Sequence, residues 1–412
     1  MSHGAVEGVP PRLFTPGFTA LLMAQAGFGY AFSSFFMLPK FLVTQLAAGP
    51  AEIGRVMAVY GVAVVVSMPV IGAAVDRFGR REFLTAGALI MAVASLLFAA
   101  VDSVGPLLYA LRAVQGLAFS MAFAAGAALA VDEAPPERVG QAIGLFGLTF
   151  LSMNAVAPAV VEIVATGAGW SAAFATAAGG AVLCAALSRR VRDVDGVTDP
   201  DGAVPGLWEV ATRPSQLRVS LVIGLVGAGF SAMFTFHQPF ALDLGMTEVR
   251  SFFVAYACAA VAVRVGLGRF VDRAGRRRVA IAALLPYVAV VLGMAELQPG
   301  GLAWFGAAMG VAHGLLYPAL NAVAVEGVGA RERGKVMALF QAAFQIGVAT
   351  GAFGLGVLAE SRGYPAVFVA GGVCVLAALL LFAISPEGRP PGRSGRLPGQ
   401  AEEPVLVDPS LK

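Results

Sequence analysis

Arg112 stands inside an apolar run, and Gln115 follows three residues on, so the two share one face of a helix. A guanidinium keeps its proton at any working pH. In hydrocarbon it is expensive, so it faces a cavity or a partner, or else snorkels to the outer surface. Facing a cavity, it attracts an anionic or strongly polar solute and disfavours protonation of neighbouring groups. Arg264 lies in another apolar run, where it either binds an anionic group or reaches carbonyls and the interface. His313, Tyr317 and Asn321 follow at steps of four and line one helix face. A histidine there can titrate near neutrality, or it can tie two helices together by a hydrogen bond. Gln341 and Gln345 share a face of a further run, while Asn154 and Gln25 stand in two others. Such amides bind ligands or join helices. His237 beside Gln238 reads as structural. Asp132, Glu133 and Glu326 fall at one set of run ends and Glu162 and Glu360 at the other, so no carboxylate lies mid-run. The set suits a neutral, amphipathic or anionic solute better than an organic cation.

These residues need long apolar elements to hold them. The chain has 412 residues, 58% of them hydrophobic and 13% charged. A soluble domain carries about a quarter charged residues. Crossing a bilayer takes about 20 apolar residues. Twelve runs meet that length: Phe14 to Pro39, Val56 to Val75, Phe83 to Val101, Gly105 to Val131, Val139 to Val161, Trp170 to Ser188, Val219 to Leu242, Ser251 to Val271, Val279 to Ala295, Leu297 to Val325, Val336 to Ala359 and Tyr364 to Ser385. The fold class expected is all-α and integral to the membrane, twelve helices in two six-helix halves. The halves are residues 14–188 and 218–385, joined by a polar linker over 189–217. A 13-residue N-terminus and a polar tail from 386 to 412 flank them.

Charge sets the orientation. With both termini on one side, 21 of the 28 basic residues fall on that side and only Lys40, Arg55, Arg250 and Arg362 on the other. Basic loops stay in the cytoplasm, which places the termini and the linker there. Cys184, Cys258 and Cys374 are dispersed in apolar runs and form neither a disulfide framework nor a metal site. No phosphate-cradling loop and no nucleophile–base–acid set is present, so neither ATP-driven work nor an enzyme is expected. No cofactor, metal or nucleic-acid partner is expected either.

One stretch occurs twice. Gly72, Asp76, Arg77, Gly79, Arg80 and Arg81 recur as Gly268, Asp272, Arg273, Gly275, Arg276 and Arg277, 196 residues later. The first glycine permits close helix approach, the second a tight turn, and the arginines keep the loop in water. Asp132 and Glu326 also match between the halves. This stretch resembles the loop motif of the major facilitator superfamily, between spans 2 and 3 and between spans 8 and 9. Ala74 and Phe270 stand where that motif has Leu. The resemblance covers about residues 14 to 385 and implies the family's fold and a transport role, but no substrate; the motif residues, with Asp132 and Glu326, are expected to gate the cytoplasmic face. Arg112-Ala113-Val114-Gln115-Gly116 resembles the family's span-4 motif, associated with proton coupling. Of the exporters' Gly-Pro-x-x-Gly-Gly signature in span 5, Pro158 alone is present.

The expectation is a secondary transporter in the cell membrane, acting as a monomer. It would rock two halves around a cavity lined by Arg112, Gln115, Asn154, Arg264, His313, Tyr317, Asn321, Gln341 and Gln345. Proton-coupled efflux by antiport is favoured over proton-coupled uptake. A non-transporting receptor or scaffold is the alternative of another class.

Overall fold

The computed structural model describes residues 13–192, 206–329 and 332–384. The side chains of 73, 76, 207 and 267–274 lie outside that description, as do the termini and residues 193–205 of the expected linker. Twelve long helices follow one another: α1 (Pro16–Leu46), α2 (Pro50–Phe78), α3 (Arg80–Leu97), α4 (Pro106–Asp132), α5 (Val139–Ala168), α6 (Trp170–Ser188), α7 (Pro214–Asp243), α8 (Arg250–Ala274), α9 (Arg276–Gly293), α10 (Leu302–Ala324), α11 (Arg333–Arg362) and α12 (Tyr364–Ile384). Among the described residues, eleven helices are long and apolar enough to cross a membrane. The remaining one, α8, carries Arg264 and Arg269 and packs among the others. Hydrocarbon offers no partner for a backbone amide, so the chain satisfies its own by helix formation. No strand occurs among the described residues.

Local chemistry sets the ends. Prolines open α1, α2, α4 and α7, where a missing N–H costs nothing. A 3-10 turn over Phe35–Met37 breaks α1 beside Pro39, whose ring cannot continue a regular helix. Gly79 and Gly275, at matching places in the repeated motif, turn the chain with φ of 101° and 87°. The motif's second glycine is therefore needed for its backbone. Beyond the apolar pattern, α7 begins at Pro214 rather than Val219, because the helix runs on past the apolar stretch. A one-turn helix, Leu207–Ala211, precedes it in what reads as linker sequence.

Within the first half α1 packs on α5 and α6, α2 on α4, and α3 on α4 and α6. The second half repeats this, with α7 on α11 and α12, α8 on α10, and α9 on α10 and α12. Two long crossings join the halves, α2 with α11 and α5 with α8, and the end of α1 also meets α7. The first is a close backbone approach: a Cβ on Gly356 would stand 2.8 Å from the Pro50 carbonyl oxygen and 3.0 Å from Gly54. Three turns beyond Gly61 on the same face of α2, Gly72 has nothing within 4 Å of its Cβ position. Gly140, Gly144 and Gly147 on α5 are equally open. The halves thus meet at the face carrying Pro50 and Glu162 and part towards the face carrying Gly79 and Gly275.

Candidate functional site

A cavity of about 270 Å³ lies between the halves, walled by α1, α2, α4 and α5 on one side and α7, α8, α10 and α11 on the other. Its walls are chiefly aromatic. Phe32 packs on Phe119 at 4.8 Å and on Phe150 at 5.3 Å between ring centroids. Across the cavity Phe230 stacks on Phe234 at 3.9 Å. Most of the lining phenylalanines come as i, i+4 pairs, Phe32/Phe36, Phe119/Phe123 and Phe230/Phe234, which puts both rings of a pair on one helix face.

Arg112 is buried, with 4% of its surface exposed. Its Nη1 donates to Gln115 Oε1 at 2.8 Å, and its guanidinium lies 4.9 Å over the Tyr60 ring. A desolvated cation–π contact of this kind contributes about 2 kcal/mol. Gln115 therefore stands behind Arg112 and orients it rather than lining the cavity. Snorkelling, the alternative for Arg112, is not what the structure has. Arg264 lines the cavity from α8.

On α10, His313 and Tyr317 stack at 5.5 Å, and both line the cavity. The His313 ring also lies 5.0 Å from Phe230, and its Nδ1 is 3.5 Å from the Tyr287 hydroxyl. Tyr317 donates to Gln341 Oε1 at 2.5 Å. Gln345 and Asn154 complete the polar lining, Asn154 accepting from Ser33 at 2.8 Å. Asn321, one turn beyond Tyr317, does not line the cavity. Its helix continues towards the open face, past the depth of the chamber. No lining residue is Asp or Glu.

Tyr60, Tyr256 and the phenylalanine pairs were not singled out from sequence, although the i, i+4 spacing of aromatics was there to read. His237 is sealed in the core, stacked 4.1 Å from Phe252 with Nδ1 2.5 Å from the Met233 carbonyl.

Two further clusters frame the cavity. At the open face Arg80 holds Asp132 through both carboxylate oxygens, at 2.6 and 2.5 Å. Both belong to the first half, so this pair does not cross the gap. Arg277 reaches the Phe382 and Ala383 carbonyls. Arg77 and Arg81 lie at the same surface, Arg81 paired with Glu82, and Glu326 is exposed in the turn just past the end of α10 at Ala324 rather than on the helix itself. The side chains of Asp76, Gly268, Asp272 and Arg273 fall outside the described residues.

At the closed face Glu162 is 1% exposed. It binds Lys40 at 2.5 Å and accepts the backbone N–H groups of Val249 and Arg250 at 2.9 and 2.8 Å. It thus caps the start of α8 from the other half. Glu360 on α11 does the reciprocal thing, accepting from Ala51 N–H at the start of α2 at 3.1 Å. Carboxylates are favoured at helix N-termini. Placing Glu162 only at an outer helix end understated it: it is buried, and it crosses the interface.

The sequence profile of the Major Facilitator Superfamily matches residues 19–297 and 219–410. The chain belongs to the major facilitator superfamily. Its fold and family are those of membrane transporters, which sit in a lipid bilayer and bind small solutes. Superfamily relatives include the staphylopine export protein of Staphylococcus aureus, 23% identical and covering 84% of this chain and 90% of its own length. The multidrug resistance protein MdtG of Serratia proteamaculans is 26% identical over 77% of this chain and 78% of its own. Among solved structures, the nucleoside transporter NupG superposes with a TM-score of 0.75 at 13% identity, covering 89% of this chain and 98% of that one. The peptide transporter POT gives 0.72 at 15%, covering 91% and 96%. At these identities the structural likeness speaks for the fold alone.

Proposed function

We propose that this transporter is a proton-coupled exporter of a small neutral, amphipathic or anionic organic solute, working by alternating access as a monomer. The observation that carries the reading is the chamber itself: aromatic walls, two arginines and no carboxylate, set between halves that touch on one face only. Export and drug resistance are what the names of the relatives above describe, which supports the direction. The basic residues assign the open face, both termini and the linker to the cytoplasm. The described conformation is then the one that loads cargo from inside the cell.

Closure of that face falls to the repeated motif. Asp76 and Asp272, with Asp132 and Glu326, would hold it shut through arginines and helix N-termini. Arg112 supplies a fixed cation, and movement of the halves alters its distance to a titrating group. That changes proton affinity between the two states. His313 in the chamber, Glu162 at the closed face and Asp132 at the open face are the candidates to carry the proton.

An untargeted comparison of metabolites inside and outside cells, with and without the protein, tests the reading. The account expects one class of organic solute to gather outside when the protein is present. Accumulation inside would make it an uptake system. No change in either compartment would favour a receptor or scaffold.

A further inference from the structure

Two guanidinium groups face the chamber, one from each half, and neither meets a carboxylate among the described residues. Arg112 donates to Gln115 and rests on Tyr60, but its Nε has no acceptor. The Nε of Arg264 also lacks an acceptor, and Tyr256 and Tyr317 line the same chamber. A cation withdrawn from water without a counter-charge is strongly destabilised. While the chamber is open, water relieves that cost. Once the halves close around cargo, the water is gone and both cations need acceptors.

The two stand at different depths. Arg112 is six residues from the start of α4 and Arg264 fourteen from the start of α8, and both helices begin at the closed face. At 1.5 Å per residue their Cα atoms differ by about 12 Å in depth. That offset leaves room for an elongated anion to meet one arginine at each end. Between them lie the phenylalanine faces, which accept a flat apolar body.

We infer that the cargo is an elongated organic anion with two acceptor groups, one for each arginine, on an apolar aromatic body. Carboxylate, phosphate and sulfonate share the chemistry, since each takes the planar fork of a guanidinium. This rests on reading the chamber as the cargo site, and it narrows the solute from neutral or anionic to doubly anionic.

Binding to the full chain in lipid nanodiscs tests it with three matched probes: biphenyl-4,4′-dicarboxylate, biphenyl-4-carboxylate and a biphenyl trimethylammonium. The dicarboxylate should bind about tenfold tighter than the monocarboxylate, the scale of one charge-assisted pair. The ammonium probe should not bind. Arg264→Gln and Arg112→Gln should each bring the dicarboxylate down to the monocarboxylate level. Arg112→Lys, which keeps the charge, should retain part of the advantage and serves if Arg112→Gln does not fold. Ammonium binding equal to the dicarboxylate, no binding of any probe, or an unchanged di-to-mono ratio in both arginine variants would overturn the inference. Charge-selective binding with no pH-driven flux would keep the inference and remove the proton-coupled reading. PH-driven flux with no charge selectivity would do the reverse.

Discussion

Lys40 Nζ lies 2.5 Å from Glu162 Oε1, and the same carboxylate caps a helix of the opposite half. Lys40 adds its own bond across the gap, to the Thr247 carbonyl oxygen at 2.5 Å. Gln238 of the second half donates to the Phe36 carbonyl at 2.6 Å. These contacts close the face that must open for release.

Glu162→Gln should therefore open that face. Removing one partner of a buried pair costs about 3–5 kcal/mol, because the other charge is left buried. The lysine, not the amide, becomes the orphan. The measurement uses Ser231→Cys, a chamber position, in a chain without its three native cysteines. Labelling by an impermeant maleimide from the Lys40 side should rise at least about tenfold over the parent. Unchanged labelling would mean that the pair fills space and does not latch.

Gly72 is open here, yet Gly61 on the same face of α2 touches Ala349 and Gln345 of α11. Alternating access requires α11 to swing against Gly72 when the motif face closes. A bulky residue there should obstruct that state alone. Gly72→Leu should fold with an unchanged melting temperature while transport falls at least about tenfold, as overpacking a close approach does. Wild-type flux in this variant would remove Gly72 from the gate.

Arg213 and Glu332 supply a contrast, since both belong to the second half and tie the starts of α7 and α11 together. The hydrogen bond from Arg213 holds the Glu332 carboxyl below its ordinary value. An unfolded glutamate titrates near about 4.3. The lowered folded value means that any stability from this pair is present above that pH and is lost only as pH falls through the folded value. Nothing about it changes between neutral and mildly acidic pH. Glu332→Gln should leave both the pH profile of flux and the Ser231→Cys labelling as they were. A shifted profile would place this pair in the switch.

The helices, the repeated motif and the cavity arginine were legible because each is local: an apolar run, a loop read twice, an Arg-x-x-Gln step on one helix face. Seven of the nine residues expected in the chamber line it, and the two that do not, Gln115 and Asn321, show the limit of such reading. Helical phase gives a face but not a depth, so Asn321 shares a face with Tyr317 and misses the chamber. Gln115 shares a face with Arg112 and is used up by it. The Lys40–Glu162 pair was hidden for another reason. Its partners are 122 residues apart on helices whose approach only the assembled half determines. The aromatic pairs were visible in spacing, but phenylalanine in an apolar run carries no contrast.

Proton-driven movement through this chamber is the central claim, and substrate flux in liposomes under an imposed pH gradient tests it most directly. With the solute found by the metabolite comparison, wild-type flux should follow the gradient and reverse when the gradient is reversed. Arg112→Ala should lose the gradient-driven component while solute exchange at equal pH persists, and Arg112→Lys should keep part of both. Wild-type flux indifferent to the gradient, or gradient-driven flux surviving intact in Arg112→Ala, would contradict the account.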